Sequence, residues 1–228
     1  MKLKLIERKK QAGDATTFIF KSEDGMGWQA GQYMHYVLKH KADERGDERW
    51  FTISNAPHEK NIAITTRILP TRASSFKSAL NQLPIGGLIE ADGPKGKFVI
   101  DKPNEFLVFI AGGIGITPFR SMILEASHNN ILHNGVLLYA NRDENIVFKD
   151  ELEEAAPKIG VGIKYFIGPE ILNADAILGV VPNLTKPYFY ISGPEPMVEH
   201  FENTLLGLGF VDEQIKRDSF PGYEWPLE

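Results

Sequence analysis

No cysteine occurs anywhere in the 228 residues. This chain therefore has no disulfide framework, no thiolate metal site and no cysteine-held iron–sulfur cluster. Equally absent is any run approaching the ~18 consecutive apolar residues of a membrane helix, and no apolar stretch follows the charged start as in a secretory signal. The expectation is a cytoplasmic protein without a membrane span. Positive charge is not in excess either: 25 Lys and Arg against 30 Asp and Glu leave a net charge of −5, the wrong sign for a nucleic-acid partner. Only Glu7–Gln11 (ERKKQ) is locally basic, and it reads as a solvated strand end. No internal repeat or low-complexity segment is present, and no metal site is expected.

What is present is a soluble-type composition, 43% hydrophobic, in two textures. Up to about Ile100 the chain reads as short strands: LKLIERK, TTFIFKS, YMHYVLK, RWFTISN, NIAITTRIL, LIEADGP and KFVI, with one short helix around Ser74–Leu83. Turn signals between short alternating strands predict a small antiparallel barrel. HKADERGDE is polar and predicts an exposed loop. After Asp101–Glu105 (DKPNE), strands alternate with helices: FLVFIAG, a helix to about Asn129, GVLLYAN, a helix near Phe148–Ala156, VGIKYFIG, a helix near Ala174–Val181, PYFYISG, and a helix over Glu195–Leu208. That order predicts a doubly wound parallel sheet with helices on both faces. The expected division is residues 1–101 and 102–228.

The second half opens on Phe106–Pro118, FLVFIAGGIGITP. A short apolar run bounded by glycine is a strand buried on both faces. Gly112, Gly113 and Gly115 allow a tight turn and close approach to a ligand. Thr117 reads as an N-cap and Pro118 as a first helical residue. Strand, glycine loop and helix N-terminus make a seat for a phosphate, read here as a dinucleotide pyrophosphate. The third glycine of the common Gly-x-Gly-x-x-Gly fingerprint is replaced by Pro118.

Alternation along Arg49–Ser54 sets Arg49, Phe51 and Ile53 on one face and Trp50, Thr52 and Ser54 on the other. Together they offer a guanidinium for phosphate, an aromatic ring for a flat ligand and a hydroxyl for a ring nitrogen. Thr65-Thr66-Arg67 ends a strand, and Ser74 or Ser75 caps the short helix ahead of Phe76, leaving N–H groups for a second phosphate. Asn141 and Arg142 end a strand at its carboxyl edge, where open α/β sheets bind ligands. Arg142 suits a 2′-phosphate and Asp143 a free ribose hydroxyl. Ser192-Gly193-Pro194 with Met197 repeats the strand–glycine–helix design.

In this order and spacing, the pieces resemble the ferredoxin–NADP reductase superfamily. The matching segments are Arg49-x-Phe51-Thr52 with Ser54-x-x-Pro57, Ser74-Ser75-Phe76, Gly93-Pro94-x-Gly96-x-Phe98, Gly112-Gly113-x-Gly115-x-Thr117-Pro118, Asn141-Arg142, Ser192-Gly193-Pro194-x-x-Met197 and Phe220-Pro221-Gly222-Tyr223. The resemblance implies a flavin-binding barrel, a nicotinamide-nucleotide-binding sheet and an active site between them. It implies that Arg49 binds a flavin phosphate, with Trp50 and Phe51 beside the flavin, Thr52 near N5, and Thr66, Arg67 and Ser74–Phe76 completing the phosphate site. It places the nicotinamide nucleotide on Gly112–Pro118, with Asn141, Arg142, Gly193, Pro194 and Met197 around it. Ser192 stands where many members carry a cysteine beside the nicotinamide, and Asp218 where relatives carry an acid near the flavin. Phe220, Tyr223 or Trp225 would supply the ring that covers the flavin. The implied cofactor is FAD, with FMN as the alternative, and the co-substrate NADPH or NADH. The implied partner is an external carrier such as ferredoxin, flavodoxin or a small acceptor. A flavin or quinone reductase and a non-catalytic subunit of a larger redox complex are the competing readings.

Overall fold

The structure is a computed structural model and describes residues 1–22, 25–69, 73–168, 170, 172–181 and 186–221. Tyr223 and Trp225 lie outside the described residues. The first half forms six strands and one helix: β1 (Lys2–Lys10), β2 (Ala15–Ser22), β3 (Tyr33–Val37), β4 (Glu48–Thr52), β5 (Ile62–Arg67), α1 (Ser75–Gln82) and β6 (Leu88–Lys95). The sheet is antiparallel in the order β4-β3-β6-β1-β2-β5. Its two edges meet where Ser54 N–H donates to the Ala63 carbonyl at 3.0 Å, curling the sheet into a barrel around Leu3, Leu5, Phe18, Phe20, Tyr36 and Phe76. α1 covers the open end, with Phe76 and Leu80 turned inward.

The second half is a five-stranded parallel sheet in the order β11-β10-β7-β8-β9. In chain order it consists of β7 (Phe106–Gly112), α2 (Ile116–His128), β8 (Asn134–Asn141), α3 (Lys149–Ala155), β9 (Val161–Ile167), α4 (Ala174–Leu178), β10 (Pro187–Pro194), α5 (Glu195–Gly207) and β11 (Ile215–Phe220). β7 is central and buried on both faces, as its unbroken apolar sequence requires. One core lies under α2 and α3, the other under α4 and α5. No helix among the described residues is long and apolar enough to cross a membrane.

The predicted strand KFVI is absent: β6 ends at Lys95, and residues 97–100 run without ladder pairing. Gly96 turns the chain at φ +100°, and Phe98 leaves the barrel for the neighbouring core. Its ring packs 5.7 Å from both Phe119 and Tyr190. Lys216 holds the segment from outside, donating to the Val99 carbonyl at 2.9 Å and pairing with Asp101 at 2.7 Å. The connection between the halves is thus itself packed.

Candidate functional site

On the barrel, Ser74 caps α1 as its sequence position predicts, accepting from Lys77 N–H at 3.2 Å. Arg49 projects from β4 over the Phe76 ring at 5.5 Å. Its Nη1 donates to the Arg45 carbonyl at 2.7 Å, but its Nη2 is buried without a hydrogen bond. Burial lowers the guanidinium pKa, and nearby Asp43 opposes that shift. A buried N–H of a cation lacking an acceptor is the group a phosphate oxygen satisfies best. Asp43, from the loop HKADERGDE, accepts from Ser75 N–H at 2.9 Å and lies 3.8 Å from Arg49. Arg45 and the Ser75 N–H hold its carboxyl well below the usual range. The anion seat at the start of α1 is therefore shared with a carboxylate of the chain itself.

Phe51 lies against Phe76 and Tyr36, with ring centroids at 5.8 and 6.0 Å. Thr52 is 5% exposed, and no hydrogen bond engages its hydroxyl among the described residues. Just beyond it, hydroxyls are fully spent. Thr17, Thr65 and Ser54 form a chain with 2.8 Å links, and Ser54 also donates to the Ala63 carbonyl. Thr66 is buried in β5. Trp50 goes elsewhere: it is 53% exposed and packs with Tyr33, His35 and Lys95, away from the Arg49–Phe76 face.

Across the cleft, the glycine loop differs in detail from its sequence reading. α2 begins at Ile116 with Gly115 as its N-cap, so Thr117 is not the cap and Pro118 is not the first residue. The Thr117 hydroxyl instead donates to the Ile114 carbonyl at 3.1 Å, pinning the loop from within. Gly115 and Gly112 answer to packing. A methyl at Gly115 would fall on the Ser192 carbonyl and 2.7 Å from Gly193 Cα, and one at Gly112 would fall on the Met197 sulfur. Gly113, at φ +52°, is the open one, and the nearest atoms to a methyl there would be Arg67 Nη2 at 3.8 Å and Asn141 Oδ1 at 3.9 Å. Tyr139 anchors this turn, its hydroxyl donating to the Gly113 carbonyl at 3.0 Å.

Arg67, expected at the flavin phosphate, belongs to this loop. It donates to Asp14 at 2.6 Å and to Asn141 Oδ1 at 3.2 Å. Asn141 is buried, and its amide closes the following turn through the Asp143 and Asn145 carbonyls. Arg142 lies at the rim, its side chain 78% exposed and 3.7 Å from Asp143. Met197 does not line a pocket: it is fully buried and fills the space beneath Gly112 and Gly193. Pro194 pairs in register with Phe220, which packs against the core under α2.

Ser192 is fully buried and donates to Asp218 on the adjacent strand at 3.2 Å. Burial pushes the Asp218 carboxyl up to about 7, with the Ser192 hydroxyl opposing in part. Unfolded, it ionises near ~3.9. Between those values the unfolded chain has released a proton that the folded chain keeps, so this group's contribution to stability falls as pH rises from about 4 to about 7. Asp218→Asn imitates the neutral form and removes that slope. Relative to the parent it melts higher at pH 8 and equally at pH 4. Parallel melting curves across pH would show that Asp218 carries no such burial cost.

Several residues that assemble the site escaped the sequence reading: Asp43, Tyr139, and the α2 residues Arg120, Ser121 and Glu125 that grip the segment after Thr52. Only Arg120 left a sequence signal, a lone charge inside the apolar stretch ITPFRSMI.

Two family matches fall on these two halves: residues 2–100 on the oxidoreductase FAD-binding domain and residues 109–167 on the oxidoreductase NAD-binding domain. Barrel, glycine loop and both matches define a chain that pairs an FAD-binding with an NAD-binding domain of the oxidoreductase type. The chain belongs to the ferredoxin–NADP reductase superfamily. It is 32% identical over 166 residues to the phenoxybenzoate dioxygenase subunit beta of Ectopseudomonas oleovorans, covering 72% of this chain and 50% of that one. It is 26% identical to the stachydrine N-demethylase reductase subunit of Rhizobium meliloti, covering 97% and 67%. The chain thus spans about half to two-thirds of the length of these relatives. Its fold is that of the cytochrome P450 reductase GcoB of Amycolatopsis, with a TM-score of 0.82, 22% identity, and 97% and 70% of the two chains covered.

Proposed function

We propose that this chain takes hydride from NADH or NADPH and delivers the electrons to a separate carrier protein, with residues 1–101 seating the flavin and residues 102–228 the nicotinamide nucleotide. FAD, when bound, would supply the redox chemistry that links a hydride donor to a one-electron acceptor. The chain's part is to hold and orient. Arg49 Nη2 and the start of α1 hold the flavin phosphate, and Phe51 packs beside the cofactor. Thr52 gives its unengaged hydroxyl to N5. Gly113, Arg67 and Asn141 would hold the pyrophosphate of the nicotinamide nucleotide, Arg142 at the rim its adenosine end, and Ser192 with Asp218 would serve the nicotinamide.

The observation that carries this reading is the junction of the two halves. Ser54 and Asn55, immediately after Thr52, are bonded to α2, the helix that leaves the glycine loop. An external protein acceptor is supported by the relatives, among them a 2-halobenzoate 1,2-dioxygenase electron transfer component.

The test is anaerobic mixing of FAD-loaded protein with NADH or NADPH, followed by ferredoxin, flavodoxin, free flavin or quinone. Fast transfer to ferredoxin or flavodoxin supports the proposal. Transfer to free flavin or quinone alone favours a small-acceptor reductase, and no flavin reduction favours a non-catalytic subunit. In the same experiment Thr52→Val slows hydride transfer about tenfold, the worth of one hydrogen bond of roughly 1.4 kcal/mol, and keeps its FAD. An unchanged rate removes that role from Thr52.

A further inference from the structure

Arg120 sits one turn into α2 with its side chain only 8% exposed. All of its guanidinium nitrogens are engaged. Nε and Nη2 donate to Glu151 Oε2 at 3.0 and 2.5 Å, and Nη2 also to Glu59 Oε1 at 3.1 Å. Nη1 donates to Glu59 Oε2 at 2.8 Å, to the Ser54 carbonyl at 2.9 Å and to Asn55 Oδ1 at 3.4 Å. The Phe148 ring lies 4.9 Å beneath it. Glu151 belongs to α3 in the same half, whereas Ser54, Asn55 and Glu59 belong to the barrel. The planar fork therefore spans the junction and fixes both distance and angle, which a single ammonium does not do.

The surrounding contacts repeat the theme along one face of α2. Ser121 Oγ donates to the Asn55 carbonyl at 2.7 Å. Glu125 accepts the backbone N–H of His58 at 2.9 Å and faces its ring nitrogen at 2.8 Å. His128 stacks flat on His58 at 4.0 Å. These contacts hold the corner Ser54–Glu59, which begins two residues after Thr52. Ser54 is locked on its other side to Thr65 and Ala63, so the corner cannot move without the barrel wall. At the opposite end, α2 runs directly into Gly115 and Gly113.

We propose that Arg120 is a positioning residue: by clamping the corner after Thr52 to α2, it sets the reach between the flavin-binding and nicotinamide-binding halves across which hydride passes. The proposal rests on the hydride-transfer reading given above. Hydride transfer needs the reacting atoms within about 3–3.5 Å, and a misplacement of about 1 Å costs on the order of 100-fold in rate. Each cofactor is seated mainly by its own half, with Arg67 the one barrel residue placed at the nicotinamide nucleotide, so loosening the clamp lowers rate far more than affinity.

The experiment compares FAD-loaded parent, Arg120→Lys and Arg120→Met. Three quantities are read: the limiting rate of flavin reduction by NADH under exclusion of air, the Kd values for FAD and NAD⁺, and the long-wavelength absorbance that nicotinamide stacked on flavin produces. The expected result for Arg120→Met is a limiting rate about 100-fold lower, both Kd values within about twofold, and a weakened stacking absorbance. Arg120→Lys, which keeps the charge without the fork, falls between and serves as the folded variant if Arg120→Met does not hold FAD. Parental rate and absorbance in a folded variant overturn the proposal, as does a loss of rate matched by an equal loss of NAD⁺ affinity. A parent that neither NADH nor NADPH reduces overturns the functional reading beneath it, and the proposal falls with it.

Discussion

Arg49→Met weakens FAD binding by about 10–100-fold. The reason is a buried guanidinium nitrogen on the barrel that no acceptor among the described residues satisfies. Arg49 Nη2 is buried without an acceptor while its neighbour Nη1 is bonded to loop carbonyls. A charge-assisted hydrogen bond to a phosphate oxygen contributes roughly 1.5–3 kcal/mol, and each 1.4 kcal/mol is about tenfold in Kd. The substitution keeps the stem over Phe76 and so retains most of the packing. Flavin fluorescence titration of the apoprotein measures the change. An unaltered Kd would show that Arg49 serves only to brace residues 43–46.

Gly115→Ala lowers the melting temperature by roughly 2–12 °C and abolishes tight binding of NAD⁺. The backbone at Gly115 is ordinary, φ −61°, so the cost is purely steric. The added methyl meets the Ser192 carbonyl carbon at 2.5 Å and Gly193 Cα at 2.7 Å, both rigid backbone. Overpacking of this kind costs about 1–3 kcal/mol, and each kcal/mol is worth about 2–4 °C in a chain of this size. To relieve the clash, β7 and β10 must part at their carboxyl edges, where the nucleotide binds. Gly113→Ala is the contrasting case: its surroundings are open, and only the left-handed backbone, at about 1–2 kcal/mol, resists. Melting by calorimetry and NAD⁺ titration of both variants check the pair. Equal effects at the two positions would contradict the packing argument.

The parts of this molecule legible in its sequence are those governed by local chemistry. The alternation of apolar strands with helices after Glu105 has one stable arrangement, and the helix starting at Ser75 carries its cap in Ser74. The failures have a common cause. Thr117 and Pro118 look like a helix start because each residue suits one, but Gly115 already turns the chain. Lys97–Ile100 alternates like a strand, yet Phe98 gains more from the core it shares with Phe119 and Tyr190. Met197, set around the nucleotide by the family resemblance, is instead the filler that makes Gly112 necessary. Arg67 pairs with Asn141, 74 positions later, and Arg120 with Ser54 and Glu59, more than 60 positions earlier. Such pairs depend on how the two halves meet, about which local periodicity is silent.

The account depends on two cofactor seats facing one another across the junction that Arg120 spans. The most direct test is to load the purified protein with FAD, exclude air, and add one equivalent of NADH or NADPH while recording the flavin absorbance. The account predicts stoichiometric FAD uptake followed by rapid bleaching of the oxidised flavin band with at least one of the two nucleotides. Protein that takes up no FAD, or whose bound FAD stays oxidised with both, would contradict it.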